Sequence, residues 1–171
     1  MSKTSAIPRP TPLLLAAACA LANGGWSAFL WQQLLVARSG GEPYCALGGG
    51  CSALWDGPFA SAVHDSTGIP VAGWGLVWSL AALALVLRVW WLTRAKTAAP
   101  AANGGLAWLA LAGGLGVSAL VGVSARAGEI CGSCAVTYGL VGLFAVCAFV
   151  ALPDLRAQVW KRGIGPAVLA G

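Results

Sequence analysis

Charge is what this chain lacks most. Asp, Glu, Lys and Arg make up 9% of its 171 residues, against about 25% in soluble domains. That shortage excludes an ordinary soluble domain, and also a domain held by a single anchor. With 58% apolar residues, the composition is that of a polytopic membrane protein. Ten basic and five acidic residues give a net charge of +5. No nucleic-acid motif and no basic amphipathic stretch carries that excess, so nucleic acid is not an expected partner. Histidine occurs once, as His64. It is read as a solvated or interfacial side chain rather than a base for nearby thiols. The length leaves no room for a second globular domain, so residues 1–171 form one membrane domain. Glycine and alanine are abundant, which suits close helix approach in a bilayer.

A helix needs about 20 apolar residues to cross about 30 Å of hydrocarbon. Four segments qualify, at about 13–36, 70–92, 106–124 and 131–152. The expected fold is therefore an all-α bundle of four transmembrane helices. Pro70 suits the first turn of the second span. The stretch Thr93 to Gly105 reads as a plain connector. Lys3 and Arg9 ahead of Leu13–Leu21 resemble a signal peptide, and Ala16-Ala-Ala-Cys19 resembles a lipoprotein cleavage site. The apolar run continues through Trp26 to Val36, too long for a signal sequence, so a retained span is expected.

The cations set the orientation. A cytoplasmic N-terminus puts Lys3, Arg9, Arg88, Arg94, Lys96, Arg156, Lys161 and Arg162 inside, and only Arg38 and Arg126 outside. Both termini are then cytoplasmic, in a bacterial inner membrane. Trp90, Trp91 and Trp160 fall near the inner interface, where aromatic side chains collect.

Residues 37–69 form the long outer loop. It carries Cys45-Ala-Leu-Gly-Gly-Gly-Cys51, a pair that can close a small flexible ring. Pro58, preceded by Asp56 and Gly57, is placed to start a short helix over the outer face.

Four of the six cysteines lie on that outer side: Cys45, Cys51, Cys131 and Cys134. Cys19 and Cys147 fall within spans and read as packing residues. Two structural disulfides, a four-cysteine zinc site and a redox relay are the readings open to the outer four. Structural disulfides rarely need a thiol pair at a helix start, and zinc sites rarely open a membrane span. A relay accounts for both a mobile pair in a glycine-rich loop and a rigid pair on a helix, so no metal is expected. Helix starts favour thiolates. Thr137 and Tyr138 share a helical face with Cys134 and Cys131. A tyrosine hydroxyl below a reactive thiol can bond a quinone carbonyl; the plainer use of a buried tyrosine is a polar contact between helices.

These residues resemble the vitamin K epoxide reductase family, in particular bacterial members that oxidise thiols with quinone. The matching pieces are Cys45-x5-Cys51-Ser52, Gly68-Ile-Pro-Val-Ala-Gly-Trp-Gly75 and Cys131-Gly-Ser-Cys-Ala-Val-Thr-Tyr138. The similarity runs from about Leu13 to Leu152. It implies a four-helix bundle around a quinone, either ubiquinone or menaquinone, with Cys134 next to the ring and Tyr138 in contact with it. It further implies that Cys131 exchanges with Cys51, and that Cys45 meets an external thiol protein. Many members carry Ser or Thr six residues after the second loop cysteine. Gly57 stands there in this chain, so the hydrogen bond of that side chain either comes from Asp56 or Ser61 nearby or is absent. No thioredoxin-like domain is fused to the chain, so a separate DsbA-like periplasmic partner is implied. The DsbB family also has four helices and two cysteine pairs, but in the reverse order.

The resulting expectation is a membrane thiol oxidase. It would relay electrons from a thioredoxin-fold protein through Cys45/Cys51 and Cys131/Cys134 to a membrane quinone. The rival expectation is a non-catalytic membrane protein with two structural disulfides.

Overall fold

The computed structural model describes residues 8–44, 55–97, 100–128 and 131–152. Cys45 and Cys51 lie outside the described residues. Those described are all-helical: α1 (Pro10–Arg38), α2 (Pro58–Thr67), α3 (Val71–Arg94), α4 (Pro100–Ala127) and α5 (Gly132–Ala151). Four of them, α1, α3, α4 and α5, are long and apolar enough to cross a membrane. This is the multi-pass architecture expected from the shortage of charge.

The spans form a four-membered ring. α1 packs against α3 and α5, and α4 packs against the same two. The start of α1 meets the end of α5, where the Arg9 N–H donates to the Ala151 carbonyl at 3.1 Å. α1 is the most enclosed span. Leu13, Ala16, Ala20, Asn23, Ser27, Leu30 and Leu34 recur along it every three or four residues and form its buried stripe. At the terminal end of the bundle, Leu13, Ala16, Ala82, Val86, Leu106, Phe144 and Ala148 close a dense core.

Lipid tails are as apolar as this core, so the helices are held by close fit rather than by escape from water. Gly75 shows how close. A Cβ there would lie 2.6 Å from the Ser27 hydroxyl oxygen, so α1 and α3 meet at this depth only because Gly75 has no side chain. At the interface, the Arg94 guanidinium lies 4.4 Å from the centre of the Trp90 ring. That contact keeps the charge at the water boundary while its stem runs along the apolar helix.

The helix ends refine the expected boundaries. α4 begins at Pro100, so the last part of the expected connector is helical. Alanines follow Pro100, and a first-turn proline costs the helix no hydrogen bond. Pro70 is the N-cap of α3 rather than a first-turn residue. Pro58 does start the short helix, with Gly57 as its N-cap. That helix ends at Gly68, whose φ of +70° is the left-handed geometry that favours glycine. The Thr67 hydroxyl then ties α2 to α3. It donates to the Val63 carbonyl at 2.7 Å and accepts from the Trp74 indole at 3.1 Å.

Candidate functional site

The site is built on the first turn of α5. Cys131 is the N-cap residue, in extended conformation, and its sulfur accepts the Cys134 N–H at 3.3 Å. Sulfur thus fills the place that a serine or aspartate oxygen takes in a common helix cap. A negative sulfur is stabilised there by the unpaired N–H groups of the helix start. The Cys131 thiol is pulled down from an ordinary 9.0 to about 6. The hydrogen bond from the Cys134 thiol contributes most. The backbone N–H groups of Cys134 and Ser133 and the Ser133 side chain add to it, while burial opposes it. Cys134 itself carries a free thiol.

A neighbouring helix braces this turn. The Trp26 indole N–H of α1 donates to the Ser133 carbonyl at 2.9 Å. Trp26 stacks on Phe29, with ring centres 5.4 Å apart, and Phe29 meets Tyr44 edge-on at 6.3 Å. The Tyr44 N–H donates to the Gln33 side-chain carbonyl at 2.7 Å. An aromatic row therefore runs from the Cys131–Cys134 turn to the residue directly before Cys45.

Below Cys134 lies a cavity of about 410 Å³, the size of an ordinary small-molecule site. Its wall is mainly apolar, with Leu30, Val71, Val117, Leu120, Val123 and Val141 contributing. Cys134, Thr137 and Tyr138 all border it, as their shared helical face predicts. Trp55, Phe59 and Ala60, from α2 and the chain just before it, line its loop side. The Tyr138 hydroxyl interacts with both the Ser124 hydroxyl and the Cys134 thiol. Asp56 and Ser61 are exposed, and neither borders the cavity.

Trp78 is the floor. Its indole packs edge-on against Phe144, with ring centres 4.9 Å apart, and donates to the Leu109 carbonyl at 3.2 Å. A Cβ on Gly113 would lie 2.7 Å from this ring, so α4 reaches the indole only through a glycine.

Asn23 and Ser27 of α1 also border the cavity, and sequence reasoning passed over both. Asn23 is 1% exposed. Its Nδ2 donates to the Ser79 hydroxyl at 2.9 Å, while Ser79 donates to the Gly75 carbonyl at 2.8 Å. Its Oδ1 is buried with no hydrogen-bond partner, a cost of about 1–3 kcal/mol. The signal was present in the sequence. A polar side chain inside an apolar span is a functional candidate by default, and Asn23 and Ser27 are four residues apart on one face. No group of three or more His, Cys, Asp or Glu among the described residues could hold a metal ion.

No family model, no curated protein and no solved structure matches this chain.

Proposed function

We propose that this protein is a membrane thiol oxidase that passes electrons from a periplasmic thioredoxin-fold protein to a membrane quinone. One observation carries the reading. Cys134 and Tyr138 open together onto an apolar cavity, one turn of helix below a thiol poised as a thiolate. The cavity suits a quinone ring. It has an apolar wall of the right volume and a few polar groups at fixed points, one of them a buried acceptor without a partner. Cys134 and Tyr138 would hold the ring edge nearest the loop, with Thr137 beside them.

The chain's own residues then have distinct tasks. Cys131, a buried thiolate at the loop-side start of the helix, exchanges disulfides with the loop pair Cys45/Cys51. Cys134 stands between Cys131 and the cavity, so the electron pair leaves through its sulfur. Oxidising the two thiols to a disulfide releases two electrons and two protons, and a bound quinone would accept both. Tyr138, beside Cys134 and Ser124, is placed to pass a proton to the ring oxygen. Trp55 and Phe59 give the loop side of the cavity an apolar lining. The external electron donor is proposed to be DsbA-like, and the membrane to be the bacterial plasma membrane with the loop on its outer side. The resemblance to the vitamin K epoxide reductase family supports the same reading. It adds the loop order, with Cys45 facing the partner and Cys51 facing Cys131.

The test is extraction of the purified protein for bound ubiquinone or menaquinone, followed by thiol-dependent quinone reduction. Cys134→Ser should abolish reduction. Cys19→Ser and Cys147→Ser should leave it nearly intact, because both sulfurs sit in the terminal-end core. Absence of both quinone and thiol-dependent reduction would sink the proposal. Equal damage from Cys147→Ser and Cys134→Ser would overturn the division of the cysteines.

A further inference from the structure

Of the buried polar atoms without a partner among the described residues, on Asn23, His64 and Asn103, only the one on the Asn23 amide borders the cavity. Asn23 lies on α1, three residues before Trp26, whose indole braces the Cys131–Cys134 turn, so its Cα is about 4.5 Å further from the loop end than the Trp26 Cα. An asparagine inside a membrane span is costly unless all its polar atoms are used. Here the amide nitrogen is used and the carbonyl oxygen is not. The orientation is held by its neighbour. The single Ser79 hydroxyl proton goes to the Gly75 carbonyl, so Ser79 can only accept from Asn23. The nitrogen of the amide therefore faces Ser79, and the oxygen is the atom left to meet a ligand.

An acceptor discriminates between the two redox states of a quinone. The oxidised ring carries carbonyl oxygens and no donor. The reduced ring carries hydroxyls, each with one proton to give. We propose that Asn23, oriented by Ser79, is a specificity residue that binds the hydroquinone in preference to the quinone. This rests on the thiol-oxidase reading and deepens it. Tighter binding of the reduced ring favours electron transfer out of the Cys131/Cys134 pair.

The experiment measures binding rather than turnover. The full chain carrying Cys131→Ser and Cys134→Ser, which cannot exchange electrons with the ligand, is placed in lipid nanodiscs without oxygen. Equilibrium dialysis then gives Kd for decylubiquinone, menadione and the hydroquinone of each. The preference for the reduced form should fall roughly tenfold in Asn23→Leu, the worth of one hydrogen bond, with quinone affinity changed less than twofold. Asn23→Ala, which adds no bulk, should behave alike. Ser79→Ala frees the amide to turn over and present its N–H groups, so quinone should gain on hydroquinone. Asn23 variants that weaken both forms equally, or neither, overturn the proposal and leave the thiol-oxidase reading standing. The same holds if Ser79→Ala leaves the preference unchanged. Failure of the Asn23-intact protein to bind either ring in either state overturns both.

Discussion

The Cys131 thiol has a pKa near 6 because Cys134 hydrogen-bonds to it, with the backbone N–H groups of the helix start in support. Removing the Cys134 side chain should therefore move the Cys131 titration. At pH 7 a group with a pKa of about 6 is roughly nine-tenths thiolate, and one at 9.0 roughly one-hundredth. Cys134→Ala deletes the largest contribution but keeps the N–H groups of residues 133 and 134. The midpoint should rise by about one unit or more and stop short of 9.0. The direction for folding follows from linkage. A thiol with a lowered pKa adds stability that is complete above about pH 9.0 and lost as pH falls through about 6. Cys134→Ala should shrink that dependence. The assay is the ultraviolet absorbance of the thiolate in fully reduced protein, titrated with pH. The same titration of Cys131→Ser is subtracted to remove the other thiols and the tyrosines. An unchanged midpoint in Cys134→Ala refutes the argument that the neighbouring thiol sets the value. A starting midpoint near 9.0 refutes the capped geometry itself.

Two further outcomes are expected. Gly113→Val forces atoms into the Trp78 indole, since even a Cβ would lie 2.7 Å away. Overpacking of this kind costs about 1–3 kcal/mol and should lower the thermal midpoint in detergent; an unchanged midpoint would show that α4 does not rest on that ring. Reporter fusions after Ala37 and Gly128 should read outside and those after Lys96 and Lys161 inside, from the bias of cations. A cytoplasmic reading after Ala37 would contradict the thiol-relay proposal.

The spans were legible because a bilayer imposes one crude requirement, a long run of apolar residues in a helix. The same crudeness hid the rest. A window that averages hydropathy stops near Leu106, whereas the structured helix starts at Pro100. Six alanine- and glycine-rich residues satisfy a helix without announcing a span. The Cys134–Thr137–Tyr138 face could be read from spacing alone, because all three lie on one rigid helix. Asn23, Ser27 and Ser124 come from other helices, and their convergence depends on which faces meet. That is fixed by contacts such as Gly75 against Ser27, which no periodicity encodes. Asp56 and Ser61 are the polar neighbours of Gly57 in sequence, yet the cavity draws its loop-side lining from Trp55, Phe59 and Ala60. Close to the membrane, apolar side chains line a cavity at lower cost than polar ones.

Trp78 explains how one small bundle can be both stable and hollow. Towards the chain termini, Leu13, Val86, Leu106 and Phe144 fill the space between the four helices. Towards the loop, about 410 Å³ is left open. The indole of Trp78 lies at the boundary, held by Phe144, by the Leu109 carbonyl and by the bare backbone at Gly113. Because three helices fix that ring, a ligand in the cavity cannot sink past it. It is held instead within reach of Cys134, near the end where the Cys131–Cys134 turn is braced by Trp26. The floor and the thiols share one helix, α5, which carries both Phe144 and Cys134. A change that lowered the floor would take a ligand away from the sulfur without touching either cysteine.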